Sequence, residues 1–368
     1  MTSVPRRSGP GRIWRLAAWG AALVLIAATA LPLAPTDDWW VRAFDFPRPQ
    51  LAVLLALGVV AALALPGRGR PLRLILLAGL LAALGQQLAW LWPYTPLHTV
   101  QTRREENCAA AERLSVVIAN LRAGNNGAGP FLEAVRAAAP DLVFVVEVDP
   151  DWVRALRPLE ETYPHRLLHP RDDFWGFALY ARLDLIAPEA RHLLSEYVPS
   201  ARAGIRLRSG AEVGFHGLHP KPPLPGEGTG QRDAELLLAA EAVRQEGRPA
   251  VLGGDLNSVA WSDASVLARR IGGLLDPRIG RGPYVTFPTW LPQPLRFPID
   301  HILATPEFRL LTLDRLPDVG SDHLPLLAVL CHAPDAAMPA TPPSEVDRQR
   351  VREAIRDGRE DAARATRR

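Results

Sequence analysis

Gly320-Ser321-Asp322-His323-Leu324-Pro325 sets an acid and an imidazole side by side at the mouth of the apolar run Leu324–Leu330. A short apolar run bounded by turn residues reads as a buried strand. Asp322 and His323 therefore stand where two polar side chains can reach a ligand above a sheet edge. Outward from this point the same arrangement recurs. The apolar run Leu114–Ala119 ends in Asn120, Leu142–Val146 ends in Glu147, and Val213–Leu218 ends in His219. Ala250–Leu252 runs into Gly253-Gly254-Asp255-Leu256-Asn257, and Asp300-His301 introduces the short run Ile302–Ala304. Phe177–Tyr180, Leu183–Ile186 and Gly204–Leu207 read as further strands. Gly129–Ala139, with Pro130 in its first turn, and Asp151–Leu159 read as helices. So does Gln231–Gln245, with Leu236, Leu237, Ala240 and Val243 at helical spacing. Interleaved strands and helices over 108–332 predict an α/β or α+β domain with a substantial core.

Each strand-end residue has an ordinary reading as a turn former or solvated group; Asp and Asn commonly bond their own backbone in turns. Jointly they form a chemical set. Carboxylates with an amide oxygen suit Mg²⁺, which prefers oxygen ligands and keeps some of its water. A histidine beside a carboxylate suits proton transfer from water. The combination fits metal-assisted attack on a phosphate ester.

Six motifs carry a family resemblance: Ile118-Ala119-Asn120, Val146-Glu147-Val148-Asp149, Gly217-Leu218-His219-Pro220, Gly253-Gly254-Asp255-Leu256-Asn257-Ser258, Ile299-Asp300-His301-Ile302-Leu303 and the opening hexapeptide. In order and spacing this set resembles the endonuclease/exonuclease/phosphatase superfamily, with its deoxyribonuclease-I-like fold. The resemblance implies a four-layer α/β sandwich, two mixed sheets between helices, with the site at one edge. It implies Glu147 as principal Mg²⁺ ligand (Mn²⁺ the alternative ion), with Asn120 and Asp322 beside it. Asp255 would orient or deprotonate the attacking water. Asn257 and His219 would hydrogen-bond phosphoryl oxygens, and His323 would act as general base or phosphate contact with Asp300 as its carboxylate partner. The abasic-site endonuclease branch carries an acid where this chain has Arg122, and tends to carry tyrosine where it has His219; the histidine resembles the deoxyribonuclease and sphingomyelinase branches. Arg122 reads either as a phosphate ligand or as a surface residue, and Lys221 as a further phosphate contact or a loop residue. In the implied fold the strands ending in Asn120 and beginning at His323 run antiparallel. Their far ends carry Cys108 and Cys331, so the resemblance implies a Cys108–Cys331 bridge, against the alternative of two free thiols.

Around this domain the composition changes. The 368-residue chain carries a formal charge of +3, and its basic residues are arginine except Lys221. An arginine-, alanine-, proline- and leucine-rich chain reads as compositional bias, so the pI near 9.2 does not point to a nucleic-acid partner. Three apolar runs, Leu16–Leu33, Leu51–Leu65 and Leu74–Trp92, contain no Asp, Glu, Lys or Arg. They predict a three-helix membrane anchor over 16–92. Arg6, Arg7, Arg12 and Arg15 precede the first run, and Arg68, Arg70 and Arg73 fill the loop before the third. The positive-inside rule then puts the N-terminus (1–15) in the cytoplasm and the catalytic domain on the extracytoplasmic side of the plasma membrane. Residues 93–107 read as a polar tether and Ala333–Pro343 as a linker. Ser344–Arg368, with eight arginines and six acids, reads as a solvated helix or disordered tail. The resulting expectation is a multi-pass phosphoesterase acting on nucleic acid, a phospholipid headgroup or a small phosphate ester. It touches lipid through its spans and implies no obligate protein partner. The alternative is a catalytically silent binding or scaffold module of the same fold; a transporter is disfavoured by the absence of charge within the runs.

Overall fold

A computed structural model of the chain describes residues 10–64, 70–125, 127–336 and 342–365. Arg6, Arg7 and Arg68, part of the orientation argument, lie outside these. The chain divides into two compact units, Met1–Pro93 and Tyr94–Arg368.

The first unit is built from helices α1 (Pro10–Ala30), α2 (Trp39–Arg42), α3 (Arg48–Ala64) and α4 (Arg70–Leu91). Two segments, Leu16–Leu33 and Pro71–Tyr94, are long and apolar enough to cross a membrane. The middle run differs from expectation. Trp39–Asp45 and Arg48–Ala64 meet at a 72° bend, so a third crossing exists only if this bent pair counts as one. The 17-residue α3 alone reaches roughly 25 Å, short of a bilayer core. Leu55 and Leu80 form the apolar centre of the unit. A polar clamp joins its helices. The buried Arg48 guanidinium pairs with Asp45 and donates to Gln87 Oε1 (3.3 Å), while Gln87 Nε2 donates to Thr29 Oγ1 (3.1 Å).

In the second unit, strands β1 (Arg113–Asn120), β2 (Leu142–Val146), β3 (His165–His169), β4 (Phe177–Ala181), β10 (Phe308–Arg315) and β11 (Leu326–His332) form one mixed sheet in the order β10-β11-β1-β2-β4-β3. Strands β5 (Leu185–His192), β6 (Pro199–Arg206), β7 (Glu212–Leu218), β8 (Ala250–Asp255) and β9 (Asp300–Ala304) form the other in sequential order. Their inner faces share one core, in which Ile118, Phe144, Phe215 and Val251 meet. Helices α5 (Ala128–Ala138) and α6 (Pro150–Ala155) cover the outer face of the first sheet through Phe131 and Trp152. Helices α7 (Gly230–Glu246) and α8 (Asp263–Gly272) cover the second. This is the expected four-layer sandwich. Strands β3 and β10 escaped the sequence reading because each is exposed or half-buried along much of its length and lacks a continuous apolar run.

β1 and β11 pair antiparallel with Arg113 opposite Cys331, and Cys108 and Cys331 form a disulfide with a Cα–Cα distance of 5.9 Å. Both flanking segments pack on this unit. The supposed tether is laid along the folded unit. Tyr94 OH donates to Ala260 O (2.6 Å), Glu105 N–H donates to Leu310 O, and Leu310 N–H donates to Arg103 O. The charged C-terminal stretch forms α9 (Glu345–Ala365), not a free tail; Val351 and Ile355 join the core against α7. Gly358 permits the close crossing, since a Cβ there would lie 2.4 Å from Ala234 Cβ. A few apolar side chains suffice to dock a helix whose other face carries the charges.

The disulfide spans 223 residues. Replacing Cys108 and Cys331 by Ala is expected to cost about 2–5 kcal/mol of unfolding free energy, measured by chemical denaturation. An unchanged midpoint and slope would show that the bridge contributes nothing.

Candidate active site

Strand periodicity sets up the site. Leu114, Val116 and Ile118 of β1 and Val251 of β8 face the inter-sheet core. A two-residue repeat therefore puts Asn120 and Asp255, at the two strand ends, on those same inner faces. The sheets can approach here because position 253 is glycine; a Cβ there would lie 2.2 Å from Ile118 Cδ1. Asn120 Nδ2 donates to Glu147 Oε1 (2.7 Å) and to Asp255 Oδ2 (3.0 Å), bridging the sheets. Glu147 follows β2 in the left-handed region (φ 59°), and its Oε2 accepts from Ala123 N–H (2.7 Å). Asn257, also left-handed (φ 50°), donates its N–H to Asp255 Oδ1 (2.9 Å) and its side-chain amide to Pro220 O (3.0 Å). Non-glycine residues held at positive φ are uncommon, and such strain clusters at functional sites.

The histidines close the group. Asp300 lies opposite Asp255 in the β8–β9 register. Its Oδ2 is 2.9 Å from His323 Nδ1, and His323 Nε2 is 3.5 Å from Asp255 Oδ2. His219 Nε2 is 3.8 Å from the same oxygen, and His219 Nδ1 is buried without a hydrogen-bond partner. Burial alone disfavours a charged His323 ring, but Asp300 and Asp255, aided by Asp322, overcome it and raise the ring to about 10. Glu147, Asn120, Asp255, His219, Asn257, Asp300 and His323 thus come together at one edge.

The remaining candidates sit differently. Asp322 is partly exposed, and its Oδ2 is 4.0 Å from Arg122 Nε. Arg122 itself is left-handed (φ 60°) and largely exposed. The Lys221 ammonium is engaged by Glu227 at 2.6 Å, so it reaches a phosphate only by giving up that partner. Asn120 turns its amide nitrogen to the carboxylates and its oxygen to Arg122 N–H (2.8 Å), which makes it a bridge between acids in this arrangement.

Glu147, Asp255, Asp300 and Asp322 gather more negative charge than His323 and the distant Arg122 offset. Such an edge suits a hard cation. Among the described residues, Asp255, Asp300 and His323 hold ligand atoms within 4.8 Å of one another. An ion there would compete with the Asp300–His323 hydrogen bond; the half-buried Glu147 carboxylate accepts from Asn120 and Ala123.

Several supporting residues were not anticipated. Ser321 Oγ donates to Asn120 O (2.7 Å) and accepts from His323 N–H (3.1 Å), tying the hexapeptide to β1. Behind Asp300 lies a buried ionic network. Arg278 grips Asp276 through Nε and Nη2, donates Nη1 to Asp300 O (3.1 Å), and approaches His301 Nδ1 (2.7 Å). Burial and Arg278 push His301 well below its usual range. The neutral ring then accepts at Nδ1 and donates at Nε2 to Ser258 O (2.8 Å). Arg232 donates to Asn257 O (3.0 Å). Trp175 lies against His219 and Phe287 against His323, with ring centroids 5.4 and 4.7 Å apart. No local sequence signal distinguishes these residues from others in loops and helices.

A mixed-sheet α/β sandwich with histidines and acids converging at one edge defines the deoxyribonuclease-I-like class. The model of the endonuclease/exonuclease/phosphatase family matches residues 117–323, and the chain belongs to that family. No curated protein matches the chain. Among solved structures, a humanised TDP2 of D. rerio is 17% identical with a TM-score of 0.50, covering 60% of this chain and 99% of that one. D. rerio TDP2 complexed with single-strand DNA product is also 17% identical with a TM-score of 0.50, covering 59% and 98%. A mannosyl-6-phosphatase of Bacteroides thetaiotaomicron is 20% identical with a TM-score of 0.46, covering 59% and 99%. At these identities the likeness is one of fold.

Glu235 of α7 is buried beneath the Lys221 backbone with Oε1 unpartnered, and burial raises its carboxyl to about 8. The folded state then binds a proton that the unfolded chain releases near pH 4.5, so stability is present below that pH and falls as pH rises toward 8. Glu235→Gln is expected to remove this decline, on the order of a few kcal/mol, in denaturation curves taken from pH 5 to 9. Parallel curves for the two proteins would contradict it.

Proposed function

We propose that the chain is a membrane-anchored, divalent-metal-dependent phosphoesterase that hydrolyses a phosphodiester or phosphomonoester by attack of water. The observation that carries this reading is the continuous line Glu147–Asn120–Asp255–His323, with steps of 2.7, 3.0 and 3.5 Å. Glu147, with Asp322 beside it, would hold the ion; Asn120 would join them through its oxygen, which here accepts from Arg122 N–H. Bound Mg²⁺, with Mn²⁺ as the alternative, supplies a positive charge that polarises the phosphoryl group. Asp255, fixed by Asn257 N–H and Asn120, orients the water and takes its proton as the water oxygen bonds to phosphorus and the ester P–O bond breaks. His323, held at Nδ1 by Asp300, turns Nε2 toward the reacting side. With His219 and Asn257 it provides donors to the phosphoryl oxygens as charge builds. Arg122 is a further phosphate contact, and Lys221 becomes one if Glu227 releases it. Nucleic acid, a phospholipid headgroup and a small phosphate ester all fit this chemistry. The intact Asp300–His323 pair favours an enzyme over a silent module.

We further place the anchor in the plasma membrane as three spans, counting the bent pair as one, with the catalytic unit on the extracytoplasmic side. The Cys108–Cys331 disulfide supports this, since such bonds persist in oxidising compartments.

Turnover of DNA, RNA, sphingomyelin, phosphoinositides and a generic phosphodiester is expected on at least one substrate with Mg²⁺, and none with EDTA. His323→Ala and Glu147→Gln should each lower it by about 10²-fold or more. Turnover indifferent to both EDTA and His323→Ala would defeat the mechanism. For sidedness, the exposed Glu196 replaced by Cys should react with a membrane-impermeant maleimide in intact cells. Labelling only after lysis would place the catalytic unit inside.

A further inference from the structure

Far from the catalytic edge, a cavity of about 720 Å³ opens between the C-terminal end of α8, the β9–β10 turn and the segment that follows the anchor. Phe308, in its wall, pairs with His332 at the far end of β11, a strand of seven residues that starts just after His323. At about 3.3 Å per residue that strand separates the two sites by roughly 20 Å. The cavity has the size of a small-molecule site.

Its lining is divided chemically. Arg103, Arg269, Arg270 and Arg309 contribute one side. Carboxylates lie near three of them or their neighbours. Asp347 is 3.4 Å from Arg270, and Glu105 is 3.8 Å from Arg309. Asp276 is already gripped by Arg278. Arg269 Nη2 donates a long bond to Tyr94 OH (3.3 Å), and its buried Nε has no hydrogen-bond partner among the described residues. Of the residues that line the cavity four are arginines and one, Asp347, is an acid, an excess of positive charge that suits an anion. The other side is apolar, with Val266, Leu274 and Phe308.

We propose that this cavity binds a phosphate-bearing small molecule, its anionic group on Arg269 and Arg103 and any apolar remainder against Val266, Leu274 and Phe308. Guanidinium groups match phosphate oxygens in geometry and charge. The inference is independent of the reading of the catalytic edge. It concerns different residues, and its test runs with that edge disabled.

Binding is measured by equilibrium dialysis on the full chain in phosphatidylcholine nanodiscs, carrying His323→Ala and in EDTA, so that turnover and metal-held phosphate do not contribute. The probes are radiolabelled inorganic phosphate and dihexanoylphosphatidic acid. Saturable binding of either is expected; tighter binding of the lipid assigns a lipid source, equal binding a soluble phosphate ester. Arg269→Gln should weaken it about tenfold, the worth of one charge-assisted hydrogen bond. Arg103→Ala, at an exposed position, should weaken it in the same direction, with the unfolding midpoint measured alongside. Absence of saturable binding, or binding that both variants leave unchanged, would overturn the proposal.

Discussion

One side-chain amide joins the two sheets where the chemistry lies. Asn120 donates to Glu147 on its own sheet and to Asp255 on the other. Acids brought this close and buried repel one another unless something between them carries positive charge or donates hydrogen bonds. The Asn120 N–H groups, the backbone N–H groups of Ala123 and Asn257, and the charged ring of His323 do this work in the protein itself. What they leave uncompensated is a negative edge suited to a divalent ion. The need to hold acids together therefore explains both the fixed geometry and the negative charge on which the proposed function relies.

The support for this edge lies deeper. Asp300 orients His323 at Nδ1, and Asp300's own carbonyl accepts from Arg278, which is locked to Asp276. Burial would raise Asp276, but Arg278 brings it below the usual carboxylate range, so the pair stays ionised in the core. Breaking a buried pair by removing one partner leaves an uncompensated charge, which is strongly destabilising. At the opposite end of the strands, the disulfide joins Cys108, just before β1, to Cys331 of β11. The two strands that carry Asn120 and lead from His323 are thus fixed by Ser321 at the reacting end and by a covalent bond at the other.

The flanking segments show how little local composition says about docking. Residues 94–107 are mostly polar, yet Tyr94 reaches Ala260 and packs edge-on against Trp261, and Gln101 accepts from Asp276 N–H. The C-terminal helix is charged on most of its surface but buries Val351 and Ile355. In the N-terminal unit, Gln87 is the one interior polar residue of its run that links two other helices, through Arg48 and Thr29. Its partners lie 39 and 58 residues away, so no local pattern says what it holds.

The sequence by itself determined the class of fold and singled out the candidate reacting groups. Alternating apolar runs that end in Asn120, Glu147, His219, Asp255 and His323 encode strands with polar ends. Strand periodicity is local, so those ends could be read directly. The Cys108–Cys331 pairing followed from the family resemblance, whose implied fold makes the two strands antiparallel. Only the tertiary structure decided the rest: the Asn120 bridge with its nitrogen toward the acids, the capture of Lys221 by Glu227, the Asp276–Arg278–His301 foundation, and the docking of α9 and of the segment after the anchor. Each depends on partners that meet only when the sheets close on each other. Hydrogen-bond direction and charge pairing are set by distances of a few ångströms between residues far apart in the chain, which no local pattern records.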